Sequence, residues 1–130
     1  ELGSNATPFE HRSYADELAR CMRYYQTWGG NSSSERIFVS YGQNTSQHRG
    51  ELTLSPTMRA TPTLSVSAAG DFAIERSGTN AVLTGMGFDQ ASPKVASFTL
   101  DRSGGFTAGE GGHLTCNGTT SARIKITAEL

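Results

Sequence analysis

Beyond Gly29-Gly30 the apolar residues of this chain fall in short alternating runs, each closed by glycine, asparagine or serine, and this pattern restricts the fold more than any other feature. A period of two puts every second side chain on one face of a strand, and the turn residues stop each strand after a few positions. Candidate strands lie at residues 37–41, 51–54, 63–68, 71–75, 81–84 with 86–88, 95–100, 113–116 and 122–127. Shared faces are expected for Ile37, Val39 and Tyr41, for Leu64, Val66 and Ala68, for Ala96, Phe98 and Leu100, and for Ile124 and Ile126. Gly70-Asp71 reads as a hairpin turn. Pro56 and Pro62 bracket a segment expected at a sheet edge or in a crossover between sheets, because proline donates no ladder hydrogen bond. The glycine-rich residues 103–112 read as a long mobile loop; without a following GK[ST] they lack the phosphate-binding pattern. About eight evenly spaced strands predict an all-β domain, a jelly-roll-like β-sandwich.

One helix precedes this body, expected from Ser13 to about Gln26, within an N-terminal helical unit 13–28 that follows a linker at 1–12 and leads into the β-domain 29–130. Ser13 is placed to cap it, and Asp16 sits where the acidic member of a capping box belongs. Tyr14, Leu18, Cys21 and Tyr25 follow a 4-3-4 spacing and form one apolar face. That face needs a partner, either its own β-domain or a three-helix contact between subunits.

Composition narrows the function. The 130 residues are enough for one core, and hydrophobic residues make up only 35% of them, so help from a neighbouring subunit is expected. The net charge of −1 and the lack of a basic stripe argue against nucleic-acid binding. No apolar run approaches the roughly 20 residues that span a bilayer. There is no initiator Met, so Glu1 reads as an internal residue of a longer protein. Cys21 and Cys116 make no CxxC, and His11, His48 and His113 lie in separate regions, so neither a zinc site nor any other metal site is expected. The thiols read as free and at least half-buried. No G-x-S-x-G elbow occurs, and the carboxylates are scattered, so no catalytic residue is named and no cofactor is expected.

A recognition surface for sugars needs an aromatic face and short polar groups. Tyr41 stands beside residues 42–50, read as a loop holding Asn44, Gln47, His48 and Arg49, and Asp89 with Gln90 reads as a second polar loop. Each has a plainer reading: Tyr41 in the core beside Val39, His48 and Arg49 as solvated loop residues, and Trp28 as a cover for the core. Asn5, Asn31, Asn44 and Asn117 open Asn-x-Ser/Thr triplets, which arise readily in so Ser- and Thr-rich a chain.

Four segments carry a resemblance. ATPFEHR (residues 6–12), ELARCMRYY (17–25), MRATPT (58–63) and the terminal AEL (128–130) occur in the order in which the C-terminal domains of bacteriophage tail-fibre and related virion proteins show ATPFE-x-R, ELAxCxRYY, MRxxPT and AEL. Arg20 and Met22 depart from the commoner apolar residue and Gln of the helix motif. The resemblance implies a homotrimeric receptor-binding tip on the virion, following a preceding fibre domain, assembled in the bacterial cytoplasm and attaching to a host-surface glycan or protein without catalysis. It also implies that Arg23, Tyr24 and Tyr25 anchor the helix, and that the Asn triplets carry no glycans. A trimerisation or capping module without a receptor is the alternative.

Overall fold

A computed structural model describes residues 13–128. The expected linker at 1–12, the first of the four motif segments, His11, Asn5 and the last two residues of the AEL ending lie outside the described residues. The chain forms an antiparallel β-sandwich entered by one short helix. In order, the elements are α1 (Tyr14–Met22), β1 (Tyr25–Trp28), β2 (Arg36–Gly42), β3 (Gln47–Thr53), β4 (Thr63–Val66), β5 (Phe72–Arg76), β6 (Thr79–Val82), β7 (Gly85–Ala91), β8 (Val95–Asp101), β9 (Gly111–Cys116) and β10 (Ile124–Thr127).

The helix begins as its sequence dictates. The Ser13 hydroxyl accepts from the Asp16 amide at 3.2 Å and donates to the Asp16 carboxylate at 2.7 Å. It ends sooner than its periodicity suggests. Tyr25–Trp28, expected as helix, is a strand that pairs antiparallel with β10, Tyr25 against Thr127 and Trp28 against Ile124. The Gln26 side chain fixes the turn out of the helix by donating to the Met22 carbonyl at 3.0 Å and the Pro56 carbonyl at 2.9 Å. Tyr24 lies under the Arg59 guanidinium, 5.2 Å from ring centre to Cζ, and ties this junction to the crossover segment.

The small sheet runs β1-β10-β4 and the large one β6-β5-β9-β2-β3-β8-β7. Consecutive strands β6 and β7 lie on opposite edges of the large sheet, yet only Leu83 and Thr84 separate them. Seven flat strands would span about 29 Å between outer axes at 4.8 Å spacing. Two linking residues reach only about 10 Å. The sheet is therefore curled until its edges nearly meet, with the Leu83 amide bonded to the Phe72 carbonyl and that of Thr84 to the Asp101 carbonyl. The two-residue hairpin between β5 and β6 uses Ser77 and Gly78, with φ of 44° and 75°, the left-handed pair that a tight hairpin of this twist needs.

The core lies inside the curl and under the small sheet. Phe72, Ile74, Phe98, Leu100 and Leu114 come from the large sheet, Ile124 and Ile126 from the small one, and Met58 from the crossover segment. Each fully buried side chain of this size contributes about 1.5–3 kcal/mol. Trp28 packs against this cluster as expected. Residues 54–62, which include the two prolines and the segment between them, do cross from the large sheet to the small one. Gly70-Asp71 is not a hairpin: it lies in a single 3₁₀ turn (Ala69–Asp71) leading from β4 to β5, strands of different sheets. The cysteines are both free, Cys116 buried and Cys21 exposed.

Candidate functional site

The central strand β2 decides which side chains the molecule presents. Its inward positions are Phe38, Ser40 and Gly42; Val39 and Tyr41 point out, 66% and 55% exposed. The expected shared face of Ile37, Val39 and Tyr41 is broken at the register shift between Arg36 and Phe38: Ile37 packs against the core, whereas Val39 and Tyr41 do not. Ser40 takes an inward place because it bonds a buried histidine, and Gly42 because its neighbours leave no room for a side chain.

Tyr41 stands beside Arg49 on β3, which stands beside Thr99 on β8 and, through it, Gly87 on β7. The ladder of β7 slips between Phe88 and Gln90, so Asp89 is an extra residue in the strand. Bulges of this kind re-aim a side chain, and the Asp89 carboxylate meets Arg49 Nη1 at 2.7 Å. On the same face Gln47 Nε2 donates to Asp101 at 2.7 Å and Ser97 Oγ to Glu51 at 3.1 Å. Asn44 sits in the turn at 43–46, where its side-chain oxygen accepts from the amide and hydroxyl of Ser46. Tyr41, Gln47, Arg49 and Asp89 are thus brought onto one outer face, with Asn44 at its end.

Two expectations fail in detail. Residues 42–50 are not a loop, since only 43–46 lie outside strands, and Asp89 is in β7 rather than a polar loop. Gly42 and Gly50 resemble turn residues but are packing residues. A Cβ at Gly42 would sit 2.2 Å from the Thr107 carbonyl oxygen, and one at Gly50 would sit 2.5 Å from the Phe38 ring.

His48 is not a solvated loop residue and leaves the recognition set. It is fully buried, with Nδ1 3.1 Å from Ser40 Oγ and its ring 4.3 Å from that of Phe106. Burial pushes its pKa below the usual imidazole range; the nearby Glu110 charge opposes this and that of Arg76 adds to it. Phe106 belongs to the glycine-rich stretch expected as a long mobile loop, yet it is buried, and Gly111 and Gly112 are part of β9. Ser40, His48 and Glu110 are a nucleophile, a base and an acid in one region, but the Ser40 hydroxyl is itself buried. Glu110 is engaged by Arg76 Nη1 at 2.6 Å and by the Thr107 amide at 3.1 Å, not by the imidazole. A general base serves only a substrate within hydrogen-bond reach, and this pair lies beneath the surface.

On the other side of β2 the outer face is grooved. A cavity of about 690 Å³ is lined by Ser34, Arg36, Glu75, Gly78, Asn80 and Thr115. Its neighbour of about 340 Å³ shares Arg36 and Glu75 and adds Val39 and His113. Arg36 grips Glu75 through Nε at 2.7 Å and Nη2 at 2.6 Å, and this hydrogen bonding holds the Glu75 carboxyl below its ordinary range. Sequence reasoning missed this groove because strand pairing alone gathers it, His113 lying opposite both Val39 and Glu75. Among the described residues no group of three or more His, Cys, Asp or Glu is placed to hold a metal ion.

The helix face stands apart. No residue of α1 is buried; Tyr14 is 83% and Leu18 45% exposed, and Cys21 is exposed as well. Tyr25, expected on that face, is 44% exposed on β1 instead. The helix therefore does not pack its apolar stripe on its own β-domain. Comparison with protein-family models, with curated proteins and with solved structures finds no match to this chain.

Proposed function

We propose that this chain is a non-catalytic attachment domain of a bacteriophage tail fibre, a homotrimer that binds a host-surface glycan or surface protein through the outer face of the large sheet. The observation that carries the reading is the convergence of Tyr41, Gln47, Arg49 and Asp89 on that face. An exposed aromatic ring beside a lattice of amide, carboxylate and guanidinium groups offers stacking to a sugar face and paired hydrogen bonds to its hydroxyls. The motif segments supply the virion context: display on the particle after assembly in the bacterial cytoplasm, behind a preceding domain of the same fibre. Reversible binding of this kind needs no cofactor. Three sites per tip, repeated over several fibres, convert weak single contacts into firm attachment.

The test is adsorption by the trimeric domain carrying Tyr41→Ser together with Gln47→Ala. Loss of cell binding and of glycan-array signal, with the trimer intact by light scattering, is the expected result. Unchanged adsorption overturns the reading.

A second reading, a trimerisation or capping module with no receptor of its own, is favoured by the helix. Nine residues with no buried side chain are too few to hold a helix in water unaided. Copies of the same chain, packing Tyr14, Leu18 and Cys21 against one another, supply the missing contacts. Under this reading trimers form but the Tyr41 face is inert.

A further inference from the structure

We propose that residues 102–110 form an acid-released latch, held shut over the neutral His48 ring and opened when that ring takes a proton. The loop is fastened to the β2–β3 hairpin by backbone bonds: Arg102 amide to Ser46 carbonyl at 2.9 Å, Phe106 amide to Thr45 at 3.0 Å, Gly109 amide to Gly42 at 2.8 Å, and Gly42 amide to Glu110 at 2.7 Å. From β5, Arg76 spans it, bonding Glu110 and the Gly105 carbonyl and lying 5.5 Å from the centre of the Phe106 ring. Beneath all of this lies His48.

The imidazole is fully buried, and most of the groups packed against it are uncharged. On β2 it meets the Ser40 hydroxyl and Gly42, and on β9 Gly112. Leu100 stands opposite it on β8, and Phe106 covers it from the loop. The charged groups facing it are Glu110 in the loop and Arg76 on β5. Glu110 has its carboxylate oxygens committed to Arg76 and the Thr107 amide. Nε2 of His48 is buried and has no hydrogen-bond partner among the described residues. An imidazolium donates from both ring nitrogens, so a proton there creates a buried charged donor with nothing to accept it, a strongly unfavourable state. The nearest escape is outward. Lifting Phe106 admits water to Nε2, and the glycines flanking it, Gly105 and Gly109, already hold φ of 90° and 79°. Opening frees the turn at 43–46, so acidification alters one end of the outer face.

Amide hydrogen exchange on the full chain at about pH 7.5 and about pH 5, corrected for intrinsic rates, tests this. If the closed form rejects the proton and the open form titrates normally, opening is favoured up to roughly 30-fold more at the lower pH. The Phe106 and Gly109 amides are expected to lose protection by that factor and to exchange faster at about pH 5 than the Phe98 and Leu100 amides of β8. His48→Gln, which cannot take the proton, is expected to abolish the pH dependence. Equal protection of the loop at both pH values overturns the latch, and so does loop exchange no faster than that of β8. Retained pH dependence in a folded His48→Gln chain does the same. Should that variant fail to fold, the wild-type comparison of loop with β8 decides alone.

Discussion

Gly42 concentrates the constraints of this fold into one residue. Its amide donates to Glu110, its carbonyl accepts from Gly109, and its missing side chain leaves room for the Thr107 carbonyl and for Nε2 of His48. A methyl group at Gly42 would lie 2.2 Å from a backbone oxygen, which cannot swing aside. Gly42→Ala is expected to destabilise by about 1–3 kcal/mol, the usual range for overpacking. Gly70→Ala is the control: no described residue lies within 4 Å of the added carbon, and its φ is not positive. That substitution is expected within about 0.5 kcal/mol of the parent. Urea unfolding of the two variants measures the contrast, and equal costs would show that the loop yields freely to the methyl group. This contrast was not legible in the sequence. A glycine that permits close approach and one that lies in a turn are the same letter, which is why residues 42–50 read as a loop and His48 as solvated.

Among the elements, those whose side chains carry the core were legible and those set by distant partners were not. Ala96, Phe98 and Leu100 alternate cleanly because β8 packs one face on the core, and Ile124 and Ile126 do so for the small sheet. Residues 37–41 misled because the inward places of β2 hold a small polar residue and a glycine, leaving Val39 and Tyr41 to decorate the outside. Tyr25–Trp28 carried the helical spacing of its neighbours, but pairing with β10, about a hundred residues away in the chain, outweighs that local preference. The convergence of Arg49 with Asp89 depends on a bulge that no local pattern announces. Of the elements, α1 carries the sharpest expectation. It is capped at Ser13, yet it buries nothing, and in the trimer proposed above its apolar stripe packs on copies of the same chain. Leu18→Asp is expected to leave the unfolding free energy of the β-domain within the full chain unchanged within about 0.5 kcal/mol, while under the proposed trimer it yields a monomer in light scattering and reduces helical circular dichroism. A parent chain that is monomeric at micromolar concentration would remove the helix from the assembly.

At the scale of the whole molecule, closure of the curl and the ion pairs around it make stability depend on pH in two separate steps. The large sheet is held near closure by Leu83-Thr84, while Arg76–Glu110 and Arg36–Glu75 fasten its β5 side to the glycine-rich loop and to β2. Burial lowers the His48 pKa in the fold from its ordinary 6.5, so the unfolded chain takes up that proton first. Its contribution is complete above about pH 6.5, drains as pH falls from there toward the folded pKa, and is level below it. Glu110 and Glu75 are held below their ordinary 4.5 chiefly by hydrogen bonds from Arg76 and Arg36. Their contribution is present above about pH 4.5 and lost as pH falls through the folded values. The second step is small, because both carboxylates are near solvent, where screening weakens ion pairs. Urea midpoints measured from neutral pH downward are expected to fall first below about pH 6.5 and again below about pH 4.5. In His48→Gln the upper step should vanish and the lower one remain. Adding salt should shrink the lower step and spare the upper, because the burial of an imidazole is not screened by ions while a guanidinium–carboxylate pair open to solvent on one side is. A single transition confined below about pH 4.5 in the parent chain would mean that His48 is as free to take its proton in the fold as in the unfolded chain, and that the cover formed by Phe106 does not exclude water.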